Sequence, residues 1–224
     1  GDSRRTIWQN GHGGMRSPSF GDLPIIVGGG AMVHYTISEV RNTGLAEAKY
    51  QVGGAREVLR KSTGLLGPFD IFLSHSFHDA ELILGVRAIL QRAGKRVYVD
   101  WIDDPELDRT KVSRATASRL RERMNQCSSL IYAATKASTS SKWMPWELGY
   151  FDGRKSAESV AIMPLVSYPG ESLGQEYLDL YPTLERPSTV RPSPIVTRRR
   201  QYGSTQKSLD DLVKGRGGAA WRSI

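Results

Sequence analysis

Between residues 69 and 166 the apolar positions switch repeatedly between short continuous runs and helical spacing. The run "FDIFLSH" (residues 69–75) is nearly unbroken, as a strand buried on both faces must be. "HDAELILGVRAILQRAG" follows, with Leu82, Ile83, Val86, Ile89 and Leu90 at helical spacing and Gly94 at the expected stop. The alternation continues: "KRVYVD" reads as a second strand and "WIDDPELD" as an acidic loop. Residues 111–125 read as a helix with Val112, Ala115, Leu120 and Met124 as its apolar positions. "CSSLIYAAT" is a third strand, "SKWMPWELGYFDG" a third helix, and "SVAIMPLV" (residues 159–166) a fourth strand.

Strands that alternate with helices need crossover connections, and these produce a parallel sheet covered on both sides. The fold expected is therefore α/β, a flavodoxin-like doubly wound parallel sheet of about five strands with helices on both faces. In such a sheet ligands sit outside the carboxyl ends of the strands, near the point where strand order reverses. "SHSF", "DWIDD" and "TKASTSSKW" should converge at that edge.

The flanks are less regular. Residues 1–34, rich in Gly, Ser, Pro and Arg, read as an irregular arm, and residues 35–67 as a helical extension that breaks at Gly53 and Gly54. The core is expected over residues 68–170. In the C-terminal region, residues 171–224, "QEYLDLYPTLER" and "TQKSLDDLVKG" can each form a short helix, and "SPIV" with "SLDDLV" can complete or flank the core as a last strand and helix.

Composition narrows the function. At 224 residues and 24.8 kDa the chain is long enough for one well-buried domain with extensions. The net charge of +8 is spread along the whole chain, with "TRRR" (residues 197–200) its densest patch, so a solvated surface is expected and nucleic acid is not. Cys127 is the single cysteine, which excludes an intrachain disulfide and fits a reducing, cytoplasmic setting. Its apolar neighbours suit a small buried hydrophobe rather than a nucleophile. No apolar stretch approaches the ~20 residues that span a bilayer, so neither a signal peptide nor a membrane anchor is expected.

Candidate chemistry centres on Glu147, which lies among Trp143, Trp146, Tyr150 and Phe151. Ser138, Ser140 and Ser141 are possible N-caps, and Pro145 is tolerated only near a helix start, so this helix should begin near Lys142 or Trp143. Glu147 then lies close to the positive end of the helix dipole, which favours its ionised form, whereas aromatic burial opposes it. Trp143, Glu147 and Tyr150 share one face. An ordinary structural reading stays open here: an early-turn glutamate partnering the dipole, with aromatics in the core.

Several segments, in order, resemble one family. "FDIFLSHSFHD", "DWIDDPELDRTKVS", "CSSLIYAATKASTSSKW" and "WMPWELGYFDG" together look like a TIR (Toll/interleukin-1 receptor) domain, of the type that cleaves NAD in bacterial antiphage defence. "FDIFLSHS" resembles the family's first box and "DWIDDPELDRT" takes the place of its BB loop. Trp143-x-x-x-Glu147 matches the W-x-x-x-E pattern of its NAD-cleaving members. The resemblance covers residues 68–166; the long N-terminal extension, the acidic BB loop and the C-terminal region depart from it.

The resemblance implies that Glu147 is the catalytic residue and NAD the substrate, with no cofactor. A glycosidase acting on a sugar ether needs two carboxylates, one to protonate the leaving oxygen. Nicotinamide is already cationic and leaves neutral, so one carboxylate opposing the oxocarbenium charge suffices. Trp143, Ser74, His75, Ser76, Phe77, Asp100 and Trp101 are the candidate substrate-binding residues, and no metal site is expected because His75 and His78 lack ligand spacing. Water as the acceptor would give ADP-ribose, and an internal nucleophile a cyclic isomer. Self-association through TIR surfaces and a downstream effector that senses the product are also implied. Competing readings are a non-catalytic TIR adaptor and a nucleoside deoxyribosyltransferase-like enzyme with Glu147 as nucleophile.

Overall fold

The computed structural model describes residues 34–52, 68–76, 79–186, 194–199, 204–214 and 221–223. Expectations for residues 1–33, for the break at Gly53 and Gly54, and for Phe77 and His78 lie outside them.

Among the described residues nine strands build one sheet: β1 (Tyr35–Thr36), β2 (Phe69–Ser74), β3 (Val97–Tyr98), β4 (Cys127–Ala134), β5 (Val160–Val166), β6 (Thr183–Glu185), β7 (Ile195–Arg199), β8 (Ser204–Ser208) and β9 (Arg222–Ser223). The helices are α1 (Ile37–Val52), α2 (Ala80–Arg92), α3 (Asp100–Asp103), α4 (Arg114–Gln126), α5 (Trp143–Lys155) and α6 (Leu209–Val213). Strands β3-β2-β4-β5-β6 are all parallel neighbours, so the expected doubly wound sheet of about five strands is present. The sheet then continues through antiparallel pairs β6-β7, β7-β8 and β8-β9, while β1 adds in parallel to the end of β5.

Period-two alternation sorts the core onto two faces. Ile71, Leu73, Val97, Ile131 and Ala133 point to one, where Val40 of α1 and Leu82, Val86 and Leu90 of α2 cover them. Phe72, Tyr98, Leu130 and Tyr132 point to the other, under Leu120 and Met124 of α4 and Met144, Leu148 and Phe151 of α5. Ser74 follows Phe72 with the same parity, and so faces α5.

Particular elements differ from expectation. Val112 is exposed and precedes α4, because Ser113 caps that helix by accepting from the Thr116 N–H at 3.1 Å; the buried positions are Thr116, Leu120 and Met124. The acidic loop begins with the helical turn α3. "QEYLDLYPTLER" forms a 3-10 turn, Glu176–Leu180, followed by β6, and "TQKS" belongs to β8 rather than to a helix. The motif helix α5 starts at Trp143. Pro145, its third residue, gives up an N–H that has no partner inside the helix. Among the described residues no helix is long and apolar enough to cross a membrane.

Candidate active site

The sheet order reverses between β2 and β4, and the segments after β2, β3 and β4 meet there, as the topology requires. α5 delivers Glu147 to this edge. Helical spacing buries Trp143, Met144, Glu147, Leu148 and Phe151; Tyr150 turns away and stacks on Trp146, with Arg121 over both rings.

Glu147 is fully buried, at 0% exposure, and both carboxylate oxygens are occupied. Ser74 Oγ donates to Oε2 at 2.6 Å, and Arg109 Nη2 donates to Oε1 at 2.6 Å. Burial pushes this carboxyl above the ordinary glutamate value, with Arg109 and Ser74 opposing the rise. The second arm of Arg109, Nη1, donates to Asp100 Oδ2. Burial alone would raise Asp100 as well, but its polar neighbours, the Arg109 cation among them, outweigh burial and hold it below the ordinary aspartate range.

The candidates from strand ends fall into two groups. Ser74 and Asp100 are buried and bond to the Glu147–Arg109 pair, where direct contacts to a substrate were expected. His75, Ser76 and Trp143 line a cavity of about 280 Å³, together with Arg109, Thr110, Val112, Ser140, Ser141 and Lys142. Trp101 donates its indole N–H to His75 Nε2 at 3.1 Å, and His75 Nδ1 lies 2.8 Å from the Leu73 carbonyl, to which it can only donate. Trp143 has its ring largely buried and donates its indole N–H to the main-chain carbonyl of Arg109 at 2.9 Å.

The first three acidic residues after β3 turn inward, each to a different arginine. Asp100 takes Arg109, Asp103 takes Arg87 with the Val99 N–H, and Asp104 takes both arms of Arg123 with the Tyr98 hydroxyl. These carboxylates anchor the loop to the sheet. Cys127 is buried and its thiol is pushed up by burial, which suits a packing role.

No family model matches the chain. It is 53% identical over 140 residues to the "Probable 3' cyclic ADP-D-ribose synthase ThsB'" of Bacillus cereus (strain MSX-D12), covering 60% of this chain and 72% of that protein. The chain belongs to the TIR family of this synthase. It is also 31% identical over 83 residues to the "Putative cyclic ADP-D-ribose synthase TIR2" of Cytobacillus dafuensis, covering 37% of this chain and 22% of that protein.

Within this TIR protein, Arg109 is the residue that sequence reasoning missed. It lies 38 positions from Glu147, so no local spacing links the two. The available signal was general: a buried carboxylate needs a cation or several donors, and Arg109 is the lone base in "DDPELDRT". Lys142, Thr110, Ser140 and Ser141 had no such signal.

Proposed function

We propose that this protein is an NAD-cleaving cyclic ADP-ribose synthase of bacterial antiphage defence, with Glu147 as its catalytic carboxylate. The observation that carries this reading is Glu147 itself, the acid of Trp143-x-x-x-Glu147, buried at the switch point behind a cavity walled by hydroxyls and cations in a chain similar to named synthases.

The chemistry follows from one carboxylate. The bond between the ribose anomeric carbon and the nicotinamide nitrogen breaks, its electron pair goes to that nitrogen, and neutral nicotinamide departs. Glu147 accepts hydrogen bonds from the ribose hydroxyls and opposes the positive charge that grows on the ring. A hydroxyl of the same dinucleotide then forms the new bond to the anomeric carbon and releases its proton, for which the raised Glu147 carboxyl is a suitable acceptor. The names of the similar synthases support cyclisation over hydrolysis. Lys142, with the hydroxyls of Ser76, Thr110, Ser140 and Ser141, suits the diphosphate. Trp143 supplies an aromatic wall. A cyclic product would act through a separate effector, and self-association of TIR surfaces in the cytoplasm belongs to the same reading.

The test is chromatography of NAD incubated with purified protein at low and high concentration. Nicotinamide with a cyclic companion product is expected. Nicotinamide with ADP-ribose alone would replace cyclisation by hydrolysis, and intact NAD at every concentration would favour the adaptor.

A further inference from the structure

Glu147 as it stands cannot touch a sugar: it has no exposed surface and both oxygens are taken. A group that covers it must move before ribose hydroxyls can reach it, and its two hydrogen-bond partners are held very differently. Ser74 ends β2 and is paired in register with Tyr132 of β4, so moving it would disrupt the sheet. Arg109 lies in the irregular stretch between α3 and α4, flanked by the exposed Asp108 and Thr110. It also lines the cavity, which Glu147 does not, and its Nη2 bonds to Glu147 Oε1, so Arg109 joins the two.

We propose that Arg109 is a substrate-displaced plug: its guanidinium holds Glu147 Oε1 in the empty enzyme, yields that oxygen to the ribose hydroxyls, and stays at the site on Asp100. This rests on NAD being the substrate. Three contacts fit a short swing of the side chain. The Arg109 carbonyl is pinned by the Trp143 indole at 2.9 Å, so the backbone need not move. Asp100 already accepts from Nη1, leaving Nη2 as the arm that is exchanged. Asp100 is itself fixed, since its Oδ1 accepts from the Trp101 N–H at 2.7 Å. Arg109 is thus a positioning residue: it favours the ionised form of the covered carboxylate against burial, then competes with substrate for it. A guanidinium has the forked geometry to bridge two carboxylates, and an ammonium does not.

Competition predicts effects of opposite sign. In Arg109→Lys the charge stays but the bridge is lost, so the plug is weaker and substrate binds more tightly. In Asp100→Asn the displaced guanidinium loses its second carboxylate, so the closed state is favoured and substrate binds more weakly. The probe is an NAD analogue with a carbocyclic nicotinamide ribose, which keeps the hydroxyls but cannot be cleaved, titrated calorimetrically into wild type and both variants. Loss of one charge-assisted bond supports changes of roughly fivefold or more in Kd, down for Arg109→Lys and up for Asp100→Asn. Weaker binding by both would overturn the plug and make Arg109 a direct substrate contact or a structural bridge. Melting curves exclude unfolding, and Arg109→Met gives an independent measure: it stays covering but neutral, so the acid limb of kcat/KM should move to higher pH, and an unmoved limb contradicts the positioning role. If the analogue binds to no form, wild type included, NAD is not the substrate and the proposal falls with that reading.

Discussion

Trp143 and Glu147 stand one helical turn apart on α5, yet the tryptophan reaches past the acid and bonds to the main chain of the arginine that covers it, Trp143 Nε1 to Arg109 O at 2.9 Å. The two ends of the W-x-x-x-E pattern therefore hold the same residue, one by its backbone and the other by its guanidinium. The pattern's spacing acquires a mechanical meaning here: a single helix face fixes both where the covering loop sits and what it covers.

Trp143→Phe should keep most of the ring packing but release that carbonyl. Limited trypsinolysis should then cut after Arg109 faster than in wild type, with only a modest stability loss of about 1 kcal/mol, that of one hydrogen bond. Unchanged cleavage at Arg109 would show that the loop is held by other contacts.

Ser74→Ala removes the donor that the described residues place on Glu147 Oε2 without opening the fold. Glu147 is already raised by burial, so a lost donor raises it further, and catalysis that needs the ionised form loses its acid limb at a higher pH than wild type. A pH–rate profile of kcat/KM reads this directly; turnover at neutral pH should fall about tenfold, in line with the cost of a buried unsatisfied acceptor.

The same raised carboxyl makes a statement about stability. A group whose folded value is raised favours the protonated fold, so its contribution declines as pH rises from the ordinary glutamate value through the raised one. Asp104 has the opposite sign. Burial would raise it, but Arg123 and Tyr98 hold it below the ordinary aspartate value, so its contribution is present above that value and disappears as pH falls through the depressed one. Asp104→Asn should therefore cost about 3 kcal/mol at neutral pH, as expected for one partner of a buried pair, with the deficit shrinking in acid. Denaturant melts across pH measure both, and a deficit independent of pH would show that the ion pair is not its source.

Strands β2 and β4 and helices α2 and α5 were legible from periodicity because each buries a face large enough to impose its period on the residues. Glu147 was legible through its motif, and Ser74, His75 and Asp100 through their places at strand ends. Their partnerships were not. The Ser74–Glu147 and Arg109–Glu147 contacts join positions 73 and 38 apart, and such pairs depend on how α3 and the loop after it pack rather than on any local pattern. The short strands β1, β6 and β9 were missed for a related reason: two or three residues carry no period, and only the neighbouring strand makes them extended.

The packing of α1 offers a test remote from the site. Gly44 and Gly85 let α1 and α2 approach so closely that a Cβ on Gly85 would overlap the Val40 carbonyl oxygen. Gly85→Ala should destabilise the protein by about 1 to 3 kcal/mol through overpacking. Both helices cover the sheet face opposite Glu147, so turnover per folded molecule should be unchanged. Loss of turnover at full folding would instead couple the N-terminal helix to the site.

The central claim is that one buried carboxylate carries the reaction, and the rate of nicotinamide release from NAD by wild type and Glu147→Gln, compared at matched folding, tests it most directly. The glutamine keeps the shape of the side chain and an oxygen for Ser74 or Arg109, but it cannot oppose the positive charge of the breaking glycosidic bond. A loss of at least ~100-fold is expected, whereas a variant that turns over NAD at the wild-type rate would contradict the account.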